Sequence, residues 1–94
     1  MIKIAFEEIK GLEFEVVVSE DDGTETAHQV GLDEEFAKQS RMKPEELVKK
    51  SFEFLLEREP KESILPAFTI PNTISKYFPE FKSEIVESSQ KEKA

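Results

Sequence analysis

The sequence predicts an α+β domain: a small antiparallel N-terminal sheet, either a hairpin or a three-strand meander, packed on a central helix with short C-terminal helices. Three observations lead there. Apolar and polar residues alternate on both sides of Asp22-Gly23, the period-two signature of paired strands. From Pro44 to Arg58 the period changes to that of a helix, in the densest apolar stretch of the chain. Beyond it, Pro60, Pro66, Pro71 and Pro79 cut the remainder into short pieces.

Each element follows in order. Ile2, Ile4 and Phe6 alternate with Lys3, Ala5 and Glu7, as in a half-buried strand. Gly11 suits a left-handed turn position. Leu12 to Ser19 places Leu12, Phe14, Val16 and Val18 on one face. Glu20-Asp21-Asp22-Gly23 reads as a hairpin loop, and Thr24 to Gly31 returns antiparallel. A three-residue loop of Asp21, Asp22 and Gly23 sets Val18 opposite Thr26, Val16 opposite His28 and Phe14 opposite Val30. A loop one residue longer would turn other side chains inward.

Asp33 is placed to cap a short helix whose first turn is acidic. The segment from Ser40 to Lys43 interrupts it, and Pro44 suits the first position of the next helix. On that helix Phe54, Leu47, Ser51, Leu55, Val48, Phe52 and Leu56 span an arc of roughly 200°. One covering layer needs an apolar face of only about 100°. The wider arc predicts that a sheet and further helices both cover this helix. The proline-bounded pieces read as a helical turn at 60–65, an extended piece at 66–70, a helix near 72–78 and a last helix at 79–87. Their apolar residues, among them Phe68, Tyr77, Phe78 and Phe81, are expected to wrap the helix's second side. Residues 1–87 form the expected domain, and 88–94 a frayed polar tail.

Composition restricts the function. With 94 residues and eight Phe, one core is within reach without staples. The chain has no Cys, which removes disulfides, thiolate metal sites and thiol nucleophiles. No apolar run is long enough to span a bilayer, and the first ten residues lack the features of a signal peptide, so a cytoplasmic location and no membrane partner are expected. The net charge of −8 makes nucleic acid an unfavourable partner.

Charge is also segregated. Residues 11–37 hold nine acidic groups (Glu13, Glu15, Glu20, Asp21, Asp22, Glu25, Asp33, Glu34 and Glu35) and neither Lys nor Arg. Glu13 and Glu15 fall beside Val17 on the hairpin face opposite Phe14 and Val16, and Glu25 and Gln29 share a face of the returning strand. These five residues are the candidate partner-binding surface, suited to a basic protein partner. His28, the single histidine, is the first place to look for acid–base chemistry. With Asp21, Asp22 and Glu25 it could form a carboxylate–imidazole metal site, but the spacing fits no established ligand pattern. In the three-residue-loop register His28 faces the core, as a structural histidine would. The aromatic cluster of Phe68, Tyr77, Phe78 and Phe81 reads as core first and as a peptide groove second. The glycines are isolated, so no phosphate-cradling loop exists. No catalytic residue, metal site or cofactor is expected.

Two resemblances add to this reading. SFEFLLEREPKESIL (Ser51 to Leu65) followed by YFPEF (Tyr77 to Phe81) resembles small uncharacterised prokaryotic proteins with an N-terminal β-hairpin and C-terminal helices. That resemblance implies the same architecture and transfers no functional residue. The succession of strand Thr26 to Leu32, helix start Asp33 to Gln39 and helix Pro44 to Arg58 is similar to ribbon–helix–helix proteins. It implies a dimeric DNA-binding regulator reading the major groove with that strand. Here the strand offers Glu25, Ala27 and Gln29, carries no Lys or Arg, and has a hairpin partner in its own chain. The leading expectation is a non-enzymatic interaction or regulatory module, an antitoxin-like inhibitor being one instance. The alternatives are a ribbon–helix–helix-like DNA-binding dimer and a small metal-dependent enzyme centred on His28.

Overall fold

The structure, a computed structural model, describes residues 2–85. Strands β1 (Ile2–Lys10), β2 (Glu13–Glu20) and β3 (Glu25–Leu32) form an antiparallel meander. Helices α1 (Glu34–Ser40) and α2 (Pro44–Leu56) follow, then a 3-10 turn (Lys61–Ser63). Strand β4 (Ala67–Ile70), helix α3 (Asn72–Tyr77) and a helical stretch at 81–85 complete the described chain. The expected tail at 88–94 and the end of the expected last helix lie outside the described residues.

The hairpin register is the one the Asp-Gly signal predicts. Val18 pairs with Thr26, Val16 with His28 and Phe14 with Val30. The loop closes through Gly23 N–H donating to Glu20 O (3.1 Å) and Glu20 N–H donating to Thr24 O (3.0 Å). Gly23 takes φ +88°, which a side chain would oppose, and Asp22 Oδ1 accepts from both the amide and the hydroxyl of Thr24. Gly11 turns β1 into β2 at φ +55°.

The sheet itself differs from the expectation. Among the described residues it has four strands in the order β1-β2-β3-β4, and β4 runs parallel to β3. The extended piece at 66–70 therefore joins the sheet instead of wrapping the helix. Pro66 and Pro71 bound it and leave Phe68, Thr69 and Ile70, good strand formers, between them. Gln29 N–H donates to Pro66 O and Asp33 N–H to Ile70 O, both at 2.8 Å, fastening β4 at its two ends. Two parallel neighbours need a crossover long enough for helices, and α1 and α2 supply it.

The central helix meets the expectation on both sides. Leu47, Val48, Ser51, Phe52, Phe54 and Leu55 are all buried. Phe14, Val16, Val18 and Val30 of the sheet join them in one core with Phe36, Ile70, Ile74, Phe81 and Ile85. Asp33 Oδ2 accepts from Phe36 N–H (3.0 Å) as the cap of α1. Arg41, at φ 59°, ends α1 in the left-handed region. Helix α2 stops two residues before the expected Arg58, because Arg58 N–H turns back to Leu55 O in a tighter final turn. The Arg58 guanidinium then donates to Phe54 O (3.0 Å) and lies 3.6 Å above the Phe54 ring, while reaching Glu84 at 2.8 Å.

Candidate functional site

The described helices lie on one face of the sheet, and among the described residues no helix covers the other face. Fully buried Phe14, Val16 and Val18 point to the helices, which turns Glu13, Glu15 and Val17 outward. The register then builds the outer face rung by rung. Lys3, Ser19 and Glu25 form one rung, and Ala5, Val17 and Ala27 the next. Glu7, Glu15, Gln29 and Ala67 follow, then Lys10, Glu13, Gly31 and Thr69. All five sequence-predicted residues, Glu13, Glu15, Val17, Glu25 and Gln29, thus share one surface. All are exposed except Val17, which is half-buried.

Within the acidic segment several carboxylates already have partners in the fold. Asp33 caps α1, Glu34 pairs with Lys38 at 3.2 Å, Asp22 holds Thr24, and Glu20 faces Lys61 at 3.4 Å. Among the described residues no cation lies within 4 Å of Glu7, Glu13, Glu15 or Glu25. Glu7 is the member of this surface that sequence reasoning missed. Its own strand showed the alternation, but the β1–β2 register depends on an irregularity between Glu8 and Lys10. With that irregularity in place, Glu7 stands directly opposite Glu15, an unfavourable pairing of like charges. Gly31 leaves a shallow depression of about 470 Å³ on the same face, edged by Ile9, Glu13, Gln29, Ala67 and Thr69.

His28 lies away from this surface. It is 3% exposed and faces the core beside Phe52, with ring centroids 5.4 Å apart. Its Nδ1 lies 2.7 Å from Leu65 O and its Nε2 2.8 Å from Thr26 Oγ1. A carbonyl only accepts, so Nδ1 carries the proton, and Nε2 can then accept from the Thr26 hydroxyl. No group of three or more His, Asp or Glu side chains among the described residues is placed to hold a metal ion. The loop carboxylates Asp21 and Asp22 are not gathered around the imidazole.

The aromatic cluster divides between core and rim. Phe81 is fully buried, 5.0 Å from the Phe54 ring and 6.0 Å from that of Phe36. Tyr77, expected on the apolar side, is 68% exposed. It borders a cleft of about 330 Å³ on the helical side, lined by Leu55, Glu59, Leu65, Phe68, Tyr77 and Phe78 among others. Helix α3, six residues long, ends at Tyr77 on the border of this cleft.

Sequence reading also missed a buried lysine. Lys61 is 1% exposed, with Nζ 2.6 Å from Glu62 and 3.4 Å from Glu20. The hydrogen bond to Glu62 leads in raising the Lys61 pKa, and the same bond leads in lowering that of Glu62. Asp22 is held below its ordinary carboxyl value, first by the Thr24 hydroxyl. These groups join the hairpin tip to the 3-10 turn, a structural duty.

The chain matches no protein-family model, no curated protein and no solved structure. No helix among the described residues is long and apolar enough to cross a membrane. Strand β3, which the ribbon–helix–helix resemblance would place at a dimer ribbon, has both edges taken within its own chain by β2 and β4.

Proposed function

We propose that this domain is a non-enzymatic protein-interaction module that presents the outer face of its sheet to a basic protein partner. The observation that carries the reading is the Glu7–Glu15 rung, with Glu13 and Glu25 beside it. These are exposed carboxylates with no cation within 4 Å among the described residues, set around the apolar rung of Ala5, Val17 and Ala27. A basic surface laid on this face relieves the repulsion within the rung and covers the apolar strip. Four carboxylates against Lys3 and Lys10 leave this face with a surplus of negative charge, which steers encounter with a basic partner and disfavours acidic ones. An inhibitor that masks a cationic surface is one form such a module takes.

The test has two arms. Oligolysine titrated into labelled protein at low salt is expected to shift the amides of Glu7, Glu13, Glu15, Val17, Glu25 and Gln29 and to lose that effect at half-molar salt. A stoichiometric partner captured from native lysate is expected to be lost with Glu13→Lys plus Glu15→Lys. Shifts spread over every acidic segment, or a partner indifferent to the double reversal, would overturn the proposal.

A further inference from the structure

The two edges of the sheet are treated differently. Strand β4 is four residues long and is closed off by Pro66 and Pro71. Strand β1 is nine residues long, contains no proline, and among the described residues has no strand on its outer side. Its pairing with β2 is regular from Ile2 to Glu8 and breaks only after Glu8. A long, regular, uncovered edge is a template for another strand.

The direction of the backbone groups can be worked out. Glu20 donates to Thr24 O, and Leu12 O accepts from Leu32, so these positions of the β2 segment turn toward β3. The alternate residues Glu15, Val17 and Ser19 turn toward Glu7, Ala5 and Lys3 of β1. The amides and carbonyls of Ile2, Ile4, Phe6 and Glu8 are left facing the open edge.

We infer that this edge pairs with β1 of a second copy of the same chain, antiparallel and two-fold symmetric about Ala5. The regular part of the strand, residues 2–8, has Ala5 at its midpoint, so this register uses all of it. It sets Lys3 opposite the partner's Glu7 and Glu7 opposite the partner's Lys3. It also sets Ile4 against Phe6 on the inner face, and Ala5 against Ala5 at the axis, where the strands approach most closely. Centring the pairing on Phe6 instead would set Ala5 against Glu7 and Lys3 against Ile9, forming no ion pair and running into the irregularity. Lys3 faces Ser19 and has no acidic partner within 4 Å among the described residues, and Glu7 faces Glu15. The second copy supplies to each the opposite charge it lacks. Ile2, 45% exposed in the single chain, lies along the stem of the partner's Glu8. The result is a closed, continuous eight-stranded sheet, a self-complementary isologous assembly. The pairing shares Glu7 with the outer face proposed above to meet a basic partner, and self-association measured on the chain alone separates the two readings.

The chain is expected to sediment as a dimer at tens of micromolar. Lys3→Glu alone and Glu7→Lys alone each set like charges across the axis and are expected to weaken self-association roughly tenfold or more. The double exchange Lys3→Glu with Glu7→Lys restores the pairs and is expected to restore the dimer, which a variant that merely misfolds would not do. Opposite Ala5 residues would lie about 4.5 Å apart at Cα, within disulfide reach. In a chain without cysteine, Ala5→Cys is therefore expected to cross-link under mild oxidation at dilute concentration, and Ile9→Cys is not. A monomer at every concentration would overturn the inference. So would an oligomer larger than two, or a dimer that neither single reversal weakens.

Discussion

His28 Nδ1 lies 2.7 Å from the carbonyl oxygen of Leu65, joining β3 to a residue 37 positions along the chain. One residue further on, Gln29 N–H donates to Pro66 O at 2.8 Å. Together these contacts fix where β4 begins. His28→Ala removes both ring hydrogen bonds and the packing against Phe52. It is expected to cost about 2–3 kcal/mol in urea denaturation. Nitrogen-15 chemical shifts of the ring are expected to report the Nδ1–H tautomer. The opposite tautomer would remove the anchoring role argued for this residue.

The aromatic residues of the central helix and of the C-terminal pieces separate by burial, and their substitutions should separate likewise. Phe52→Ala and Phe81→Ala empty fully buried sites and are expected to cost about 3–5 kcal/mol each. Leu55→Ala should cost about 2–5 kcal/mol. Tyr77→Ala, at a site 68% exposed, is expected to stay within about 0.5 kcal/mol of the parent. Equal losses at Tyr77 and Phe81, measured in the same urea titration, would show that the division into core and rim is wrong.

What could be read before the structure depended on how local each signal was. The β2–β3 register followed once the loop at Asp22-Gly23 was read as three residues, because a tight loop fixes every pair that leaves it, and a loop one residue longer was the alternative. The buried arc of α2 followed from periodicity within a single segment. The partner of β4 could not be read that way. Its pairing with β3 is parallel and crosses two helices, so no loop records it, and Pro66 and Pro71 look the same around a free extended piece. The outer face was readable on β2 and β3 alone, since Glu7 joins it through an irregularity that no residue type announces. Lys61 was missed for a related reason: Glu62 beside it is its nearer counter-charge, but the packing that brings it to within 3.4 Å of Glu20 joins residues far apart in sequence.

Arg58 concentrates several contacts at the end of α2. Its guanidinium donates to Phe54 O, stacks on the Phe54 ring and reaches Glu84. Arg58→Ala is expected to lower stability by about 1–2 kcal/mol. Arg58→Lys keeps the charge but loses the planar fork, and is expected to recover less than half of that. Full recovery by lysine in thermal or urea unfolding would show that charge alone matters there.

Gly31 lies on the outer face with φ outside the left-handed region, and a Cβ there would meet nothing within 4 Å. Gly31→Thr is therefore expected to raise stability by about 0.5–1 kcal/mol through strand propensity and a less flexible unfolded chain. The same side chain projects into the depression beside Glu13 and Gln29. Oligolysine-induced shifts at those two amides should shrink while those at Glu25 persist. A destabilised variant would mean that the outer face is covered.

The Lys61 cluster predicts a pH profile whose sign can be worked out. Glu62 and Asp22 have lowered folded-state pKa values, from ordinary values of 4.5 and 3.8. Their contribution to stability is complete above those values and is lost as pH falls through the lowered ones. Lys61 is raised above its ordinary 10.5, so its contribution is complete below that pH and is lost as pH rises through the raised value. Urea midpoints are expected to fall at both extremes. Lys61→Met should flatten the alkaline fall and the Glu62 share of the acidic one. The Asp22 share should persist, because its leading cause is the hydroxyl of Thr24 and not the ammonium. An unchanged alkaline limb in Lys61→Met would place the lysine's ion pairs outside the folded-state energetics.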